Sequence, residues 1–128
     1  MRGRSYNIGV KAEARLMGAI FDRPIKDADL RSEVNGVPLR DALMQVVDEI
    51  PDFVSRRHKV PLRIGSRDLV LTHYGFTDGR MRFLQDVAEQ SGLSKQTVAN
   101  YHGRLLQALR SPAVRDRLRP YLKKGVAH

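Results

Sequence analysis

No cysteine occurs among the 128 residues, which excludes disulfides, thiolate metal sites and a cysteine nucleophile. Tryptophan is absent too, and aromatic residues make up only 6% of the chain, so a core of Leu, Val, Ile, Ala and Met is expected. No apolar run approaches the roughly 20 residues that cross a bilayer as a helix. The opening MRGRSYNIGV is basic but lacks the apolar stretch that a signal peptide carries. A cytoplasmic location with no membrane partner is therefore expected. Acid is scarce as well: 14 Asp and Glu stand against 23 Lys and Arg, giving a net charge of +9. A surplus of that size in a small chain favours a polyanionic partner, because each phosphate it neutralises releases condensed counterions.

The parts of an enzyme are missing. His58, His73, His102 and His128 are scattered, and no pair has a metal-binding spacing with an accompanying acid. There is no Gly-rich phosphate loop and no nucleophile motif. Asp27, Asp29 and Glu33 are the acids a nuclease would draw on, but they read better as helix-starting and surface charges. No catalysis, cofactor or metal is expected.

What is present is helical periodicity, and the fold class expected is all-α. Residues 1–10, with Arg2 and Arg4, read as a flexible basic arm. Ala12, Leu16, Ala19 and Ile20 fall at helical spacing, and Pro24 closes that helix. KDADLRSEV suits a short helical turn, and Asn35-Gly36 is a turn signal. A second helix starts at Pro38 and carries the stripe Leu39, Leu43, Val46, Val47 and Ile50 before Pro51 stops it. DFVSRRHKVP reads as a short helix with a basic end, and strand-like alternation is weak throughout, KVPLRIG being its best candidate. A third helix contains Leu69, Val70 and Tyr74, with Ser66 placed to cap its start. Residues 11–65 are taken as a helical support or dimerisation region, 66–111 as the unit that carries the helix pair described next, and 112–128 as a basic C-terminal tail.

The densest signal is LQDVAEQSGLSKQTVANYHGRLLQAL. Its first helix, from Phe83 to Gln90, buries Leu84, Val87 and Ala88, and the small Ala88 lets a second helix cross closely. Gly92 supplies the positive φ of a tight turn, Leu93 plugs the angle, and Ser94 caps a second helix. Val98, Leu105 and Leu109, with Tyr101 or His102, lie on the buried side of that helix. Ala, Gly four residues on, a branched apolar residue and then Val describe a helix-turn-helix. The free face of the second helix, 94–109, would carry Ser94, Lys95, Gln96, Ala99, Asn100 and Gly103. Gln96 and Asn100 can each pair bidentately with adenine, and Lys95 can reach guanine or a phosphate. Ala99 and Gly103 are small enough for close approach to the groove wall. Thr97 and Arg104 suit phosphate contacts. Residues 94–128 hold eight basic groups and one acid, +7 of the net +9, and Arg115 among them is expected to contact phosphate.

The stretch RDLVLTHYGFTDGRMRFLQDVAEQSGLSKQTVANYHGRLLQALRSP resembles region 4 of bacterial sigma factors. The shared features are a helix ending in a Tyr/Phe-Gly segment, an acidic-Gly loop, an LxxVAxxxGLS hairpin and a closing LxxLR. Arg67 to Arg110 follow this layout, about a third of the chain. GLSKQTVANYHGRLLQAL is also similar to the DNA-binding domain of LuxR-type response regulators. Both resemblances imply a helix-turn-helix that binds double-stranded DNA through the second helix. The expected function is a transcriptional regulator of bacterial, phage or plasmid origin, nucleoid-associated and homodimeric, since one recognition helix contacts few base pairs. The alternative is a sigma-like accessory factor that docks on RNA polymerase and redirects transcription. Arg2 and Arg4 on the arm would enter a minor groove.

Overall fold

A computed structural model describes residues 11–55 and 62–125. Six α-helices occur among them: α1 (Ala12–Phe21), α2 (Leu39–Asp48), α3 (Ser66–His73), α4 (Leu84–Ser91), α5 (Lys95–Leu109) and α6 (Pro112–Leu118). Two small antiparallel hairpins accompany them, β1 (Glu33–Val34) with β2 (Val37–Pro38) and β3 (Phe53–Ser55) with β4 (Leu62–Ile64). The chain is mostly helical, as expected, but not purely so. No helix among the described residues is long and apolar enough to cross a membrane.

The hairpins correct two readings. Residues 53–55, taken as part of a short helix, pair with 62–64, Phe53 opposite Ile64. Phe53 and Val54 are β-formers whose strand only becomes visible once its partner is known, because three residues are too few to display a period. The first hairpin turns at Asn35 (φ 52°) and Gly36 (φ 81°), the pair of positive φ values that a two-residue hairpin turn requires. Within KDADLRSEV only Asp27–Asp29 is helical, as one 3-10 turn.

One hydrophobic core runs through the described chain. Leu16, Met17 and Ile20 of α1, Leu43 and Val47 of α2, Leu69 and Val70 of α3, Leu105 and Leu109 of α5 and Leu118 of α6 are all fully buried in it. The stripe on α2 therefore faces the other helices of the same chain. Residues 112–121, assigned to a basic tail, form α6 and a 3-10 turn (Arg119–Tyr121) that bury Leu118, Tyr121 and Leu122. Leu30 bridges Leu122, and Arg31 Nη1 donates to the carbonyls of Pro120 (2.9 Å) and Leu122 (2.8 Å), tying this end to the first half.

Ser66 does something other than cap α3. The residue preceding α3 is Gly65, which offers no side-chain cap. Ser66 is buried, and its hydroxyl is shared between the carbonyls of Val47 (3.1 Å), which also accepts the Ile50 amide (3.0 Å), and Ile50 (3.0 Å), at the end of α2. Ser66→Ala should therefore cost about 1–2 kcal/mol, the effect of removing a buried hydrogen bond that ties α3 to the end of α2 and of leaving the Ile50 carbonyl without this donor. Urea unfolding measures it; an unchanged midpoint would show that water replaces the hydroxyl.

Candidate nucleic-acid interface

The α4–α5 unit is built by local rules. Gly92 closes α4 with φ 73° and ψ 14°, and its amide and that of Leu93 (3.1 Å) both reach the Ala88 carbonyl. Leu93 is buried at the angle between the helices, beside Val87 and Ala88. Ser94 then starts α5: its Oγ accepts from the Thr97 amide at 3.1 Å. Val98, Tyr101, Leu105 and Leu109 form the buried side of α5, which places Tyr101 rather than His102 on that side.

The opposite side is open. Ser94, Lys95, Gln96, Asn100, Gly103 and Arg104 are exposed, and Ala99 and Thr97 are half-buried at its edges. A Cβ added to Gly103 would meet nothing within 4 Å, so no part of the described chain covers the middle of this face. Gln96 Nε2 donates to Asn100 Oδ1 at 3.0 Å, which holds the two amides side by side one helical turn apart. Ser94 Oγ also donates to Thr97 Oγ1 (2.8 Å). Arg2 and Arg4 lie outside the described residues.

The basic groups after α5 divide in a way the sequence does not show. Arg110 Nε donates to the Ala19 carbonyl (2.8 Å) and Arg115 Nε to that of Ile20 (2.9 Å), two carbonyls at the end of α1. The Arg115 guanidinium also lies over the Phe21 ring, 5.8 Å from its centroid. Arg117 forms a two-pronged pair with Glu49 (2.7 and 3.0 Å), and Arg119 pairs with Asp116. Arg115, expected on phosphate, thus clamps α6 to α1. Arginine and phosphate contacts share one signature in sequence, and only the position of the α1 carbonyls separates them. Lys95 and Arg104 stay on the open face.

Behind α5 lies a small aromatic cluster that includes two of the histidines scattered along the sequence, His73 and His102. The His73 Nδ1–H donates to the Arg82 carbonyl (2.6 Å), Tyr74 Oη and His102 Nε2 share a hydrogen bond of 2.9 Å, and the two imidazoles meet edge-on at 4.8 Å. It links the end of α3 and the loop before α4 to the middle of α5. Burial pushes His102 down to about 4, with the charges of His73 and Arg110 acting in the same direction, and burial also lowers His73. Both are folded in the neutral form. Their contribution to stability is whole above the unfolded value of about 6.5 and is lost as pH falls from there towards 4, because the unfolded chain takes up protons first. Melting temperature should therefore drop between pH 7 and pH 5, and drop less in His102→Gln; equal drops would remove the cluster as the cause.

The hairpin β3–β4 also supports α5: Tyr101 Oη donates to the Pro51 carbonyl (2.8 Å), and its ring lies 5.3 Å from Phe53. Among the described residues no group of three or more His, Asp or Glu is arranged to hold a metal. Comparison of the chain with protein-family models, with curated proteins and with solved structures gives no match.

Proposed function

We propose that the chain is a sequence-specific regulator of transcription that binds double-stranded DNA, with α4 and α5 as a helix-turn-helix and α5 in the major groove. The carrying observation is the open polar face of α5, centred on an uncovered Gly103, on a helix whose other side is buried in the core. A helix so placed can lower its first two turns onto base edges. Lys95 and Arg104 flank the amide pair and suit phosphates on either side.

The bond from Gln96 to Asn100 sharpens this reading. With Asn100 Oδ1 occupied, the pair presents Asn100 Nδ2 as donor and Gln96 Oε1 as acceptor. Adenine offers the complement, N7 as acceptor and the N6 amine as donor. The two side chains then read one base pair jointly. Asn100→Ala should cost about 1–3 kcal/mol in affinity for the selected site and relax the preference at one base pair. Gln96→Ala should do much the same, and the double variant little more, since each amide orients the other. Selection of bound fragments from random duplexes, followed by competition binding, is the test; absence of any selected motif would overturn the proposal.

A homodimer goes with this reading. One recognition helix contacts few base pairs, so two copies on half-sites about 34 Å apart supply the specificity a regulator needs. A palindromic selected motif would support this, and a single asymmetric half-site would remove it.

A further inference from the structure

The hairpin β3–β4 occupies one flank of α5. Tyr101, which anchors it through the Pro51 carbonyl (2.8 Å) and the Phe53 ring, shares a stripe of α5 with Thr97, Arg104 and Ala108, spaced as residues on one side of a helix are. Thr97 and Arg104 border the open face on that side, so the hairpin stands next to this border, and β4 packs against α4 as well. Successive side chains of a strand point to opposite faces. Ile64 is buried in the core opposite Phe53, so Arg63 turns away from the core, opposite Val54, and is exposed. Its charge is not spent within the chain. All 14 Asp and Glu residues lie in the described segments, and none forms an ion pair with Arg63, whereas Arg67, Arg82, Arg110, Arg117 and Arg119 each have one. Asp52, the acid that directly precedes β3, turns to the start of α3, where its Oδ1 accepts the Ser66 amide at 3.4 Å.

We infer that this hairpin is a second element of the DNA interface, with Arg63 binding a backbone phosphate beside the Thr97–Arg104 border of α5. This contact presupposes the proposed function and lies outside the helix pair. A helix in the major groove, which is about 12 Å wide, has a phosphate backbone along each of its edges. An element fixed beside one edge meets that backbone, not the bases. An unpaired guanidinium there can make the charge-assisted, two-pronged bond that phosphate accepts. Tyr101 already holds the hairpin on α5, so little freedom is lost when the two engage one duplex. Such a contact sets the register of α5 on the duplex and carries no sequence information of its own.

The test uses the full chain and two duplexes, the selected site and a random sequence, at salt from about 0.1 to 1 M. Arg63→Gln should weaken binding to both by the same factor, about eightfold at the low-salt end, and reduce the slope of log affinity against log salt by about 0.9, the share of one phosphate. The selected motif and the melting temperature should stay those of the parent, since Arg63 makes no hydrogen bond or ion pair among the described residues. Arg63→Lys should keep the slope. Lys123→Gln removes the same charge at the exposed end of the chain tied to Asp29, and should change the slope far less. A slope unchanged in Arg63→Gln, or an equal change in Lys123→Gln, would overturn the hairpin contact and leave the DNA reading standing. A shift in the selected motif would make Arg63 a base reader and overturn its role on phosphate. A parent chain that binds neither duplex would overturn both.

Discussion

Gly103→Glu is expected to fold like the parent chain and to lose duplex binding by about 100-fold or more, roughly 3 kcal/mol. The two halves of that statement come from separate physics. A Cβ added at Gly103 meets no other part of the described chain within 4 Å, so a substitution there starts into open space, and replacing a mid-helix glycine stabilises an exposed helix by about 0.5–1 kcal/mol. Melting temperature should hold or rise. The same position lies between Asn100 and Arg104 along α5, where, on the proposed DNA-binding reading, a carboxylate would both separate the helix from the bases and repel the backbone phosphates. Gly103→Ala should show the steric part alone: a higher melting temperature with a smaller loss of binding. A variant that melts higher and binds equally well would place the DNA-contacting surface elsewhere, or remove DNA from the account.

Gly75→Ala is expected to have the largest effect on stability, about 3 kcal/mol out of the 5–15 typical of a domain. Gly75 has φ +83°, and a Cβ there would approach the Arg80 backbone to 2.8 Å at its carbonyl carbon and 2.9 Å at its oxygen. It would also lie 2.6 Å from Arg15 Nη1, the side chain that joins α1 to this loop. The flexible arginine can retreat, but the Arg80 backbone cannot, and the left-handed conformation adds its own cost of roughly 1–2 kcal/mol for a residue with a Cβ. Because the loop leads from α3 into α4, the loss should appear as global unfolding at lower urea with an unchanged slope. A change below about 0.5 kcal/mol would mean that the loop rearranges freely.

The helix pair was legible because its information is local. Ala88, Gly92, Leu93 and Ser94 each act on neighbours within a few residues, through a helix end, a positive φ, an apolar plug and a cap, so their order in the chain already states the turn. The buried and open sides of α5 follow from the period of 3.6 alone, and the structure places Val98, Leu105 and Leu109 inward and Gln96 and Asn100 outward as that period requires. The Gln96–Asn100 bond is implicit in the same spacing, since two amide side chains one helical turn apart lie within hydrogen-bond reach of each other.

Elsewhere, meaning came from distance. Arg115 and Lys95 are both basic residues near the same helix, and nothing in their neighbours along the chain distinguishes a clamp on the Ile20 carbonyl from an open cation. Ser66 sits where a cap would sit, yet its hydroxyl is spent on the end of α2. The strand at 53–55 needed 62–64 to exist. By itself the amino-acid order determined α1 to α5, their apolar faces and the tight turn after α4, but not α6, because these five depend on dihedral preference and short-range periodicity. Tertiary packing alone decided which cations remain available to a partner and which hydroxyl closes which helix, because those outcomes depend on carbonyls and charges brought together from tens of residues away.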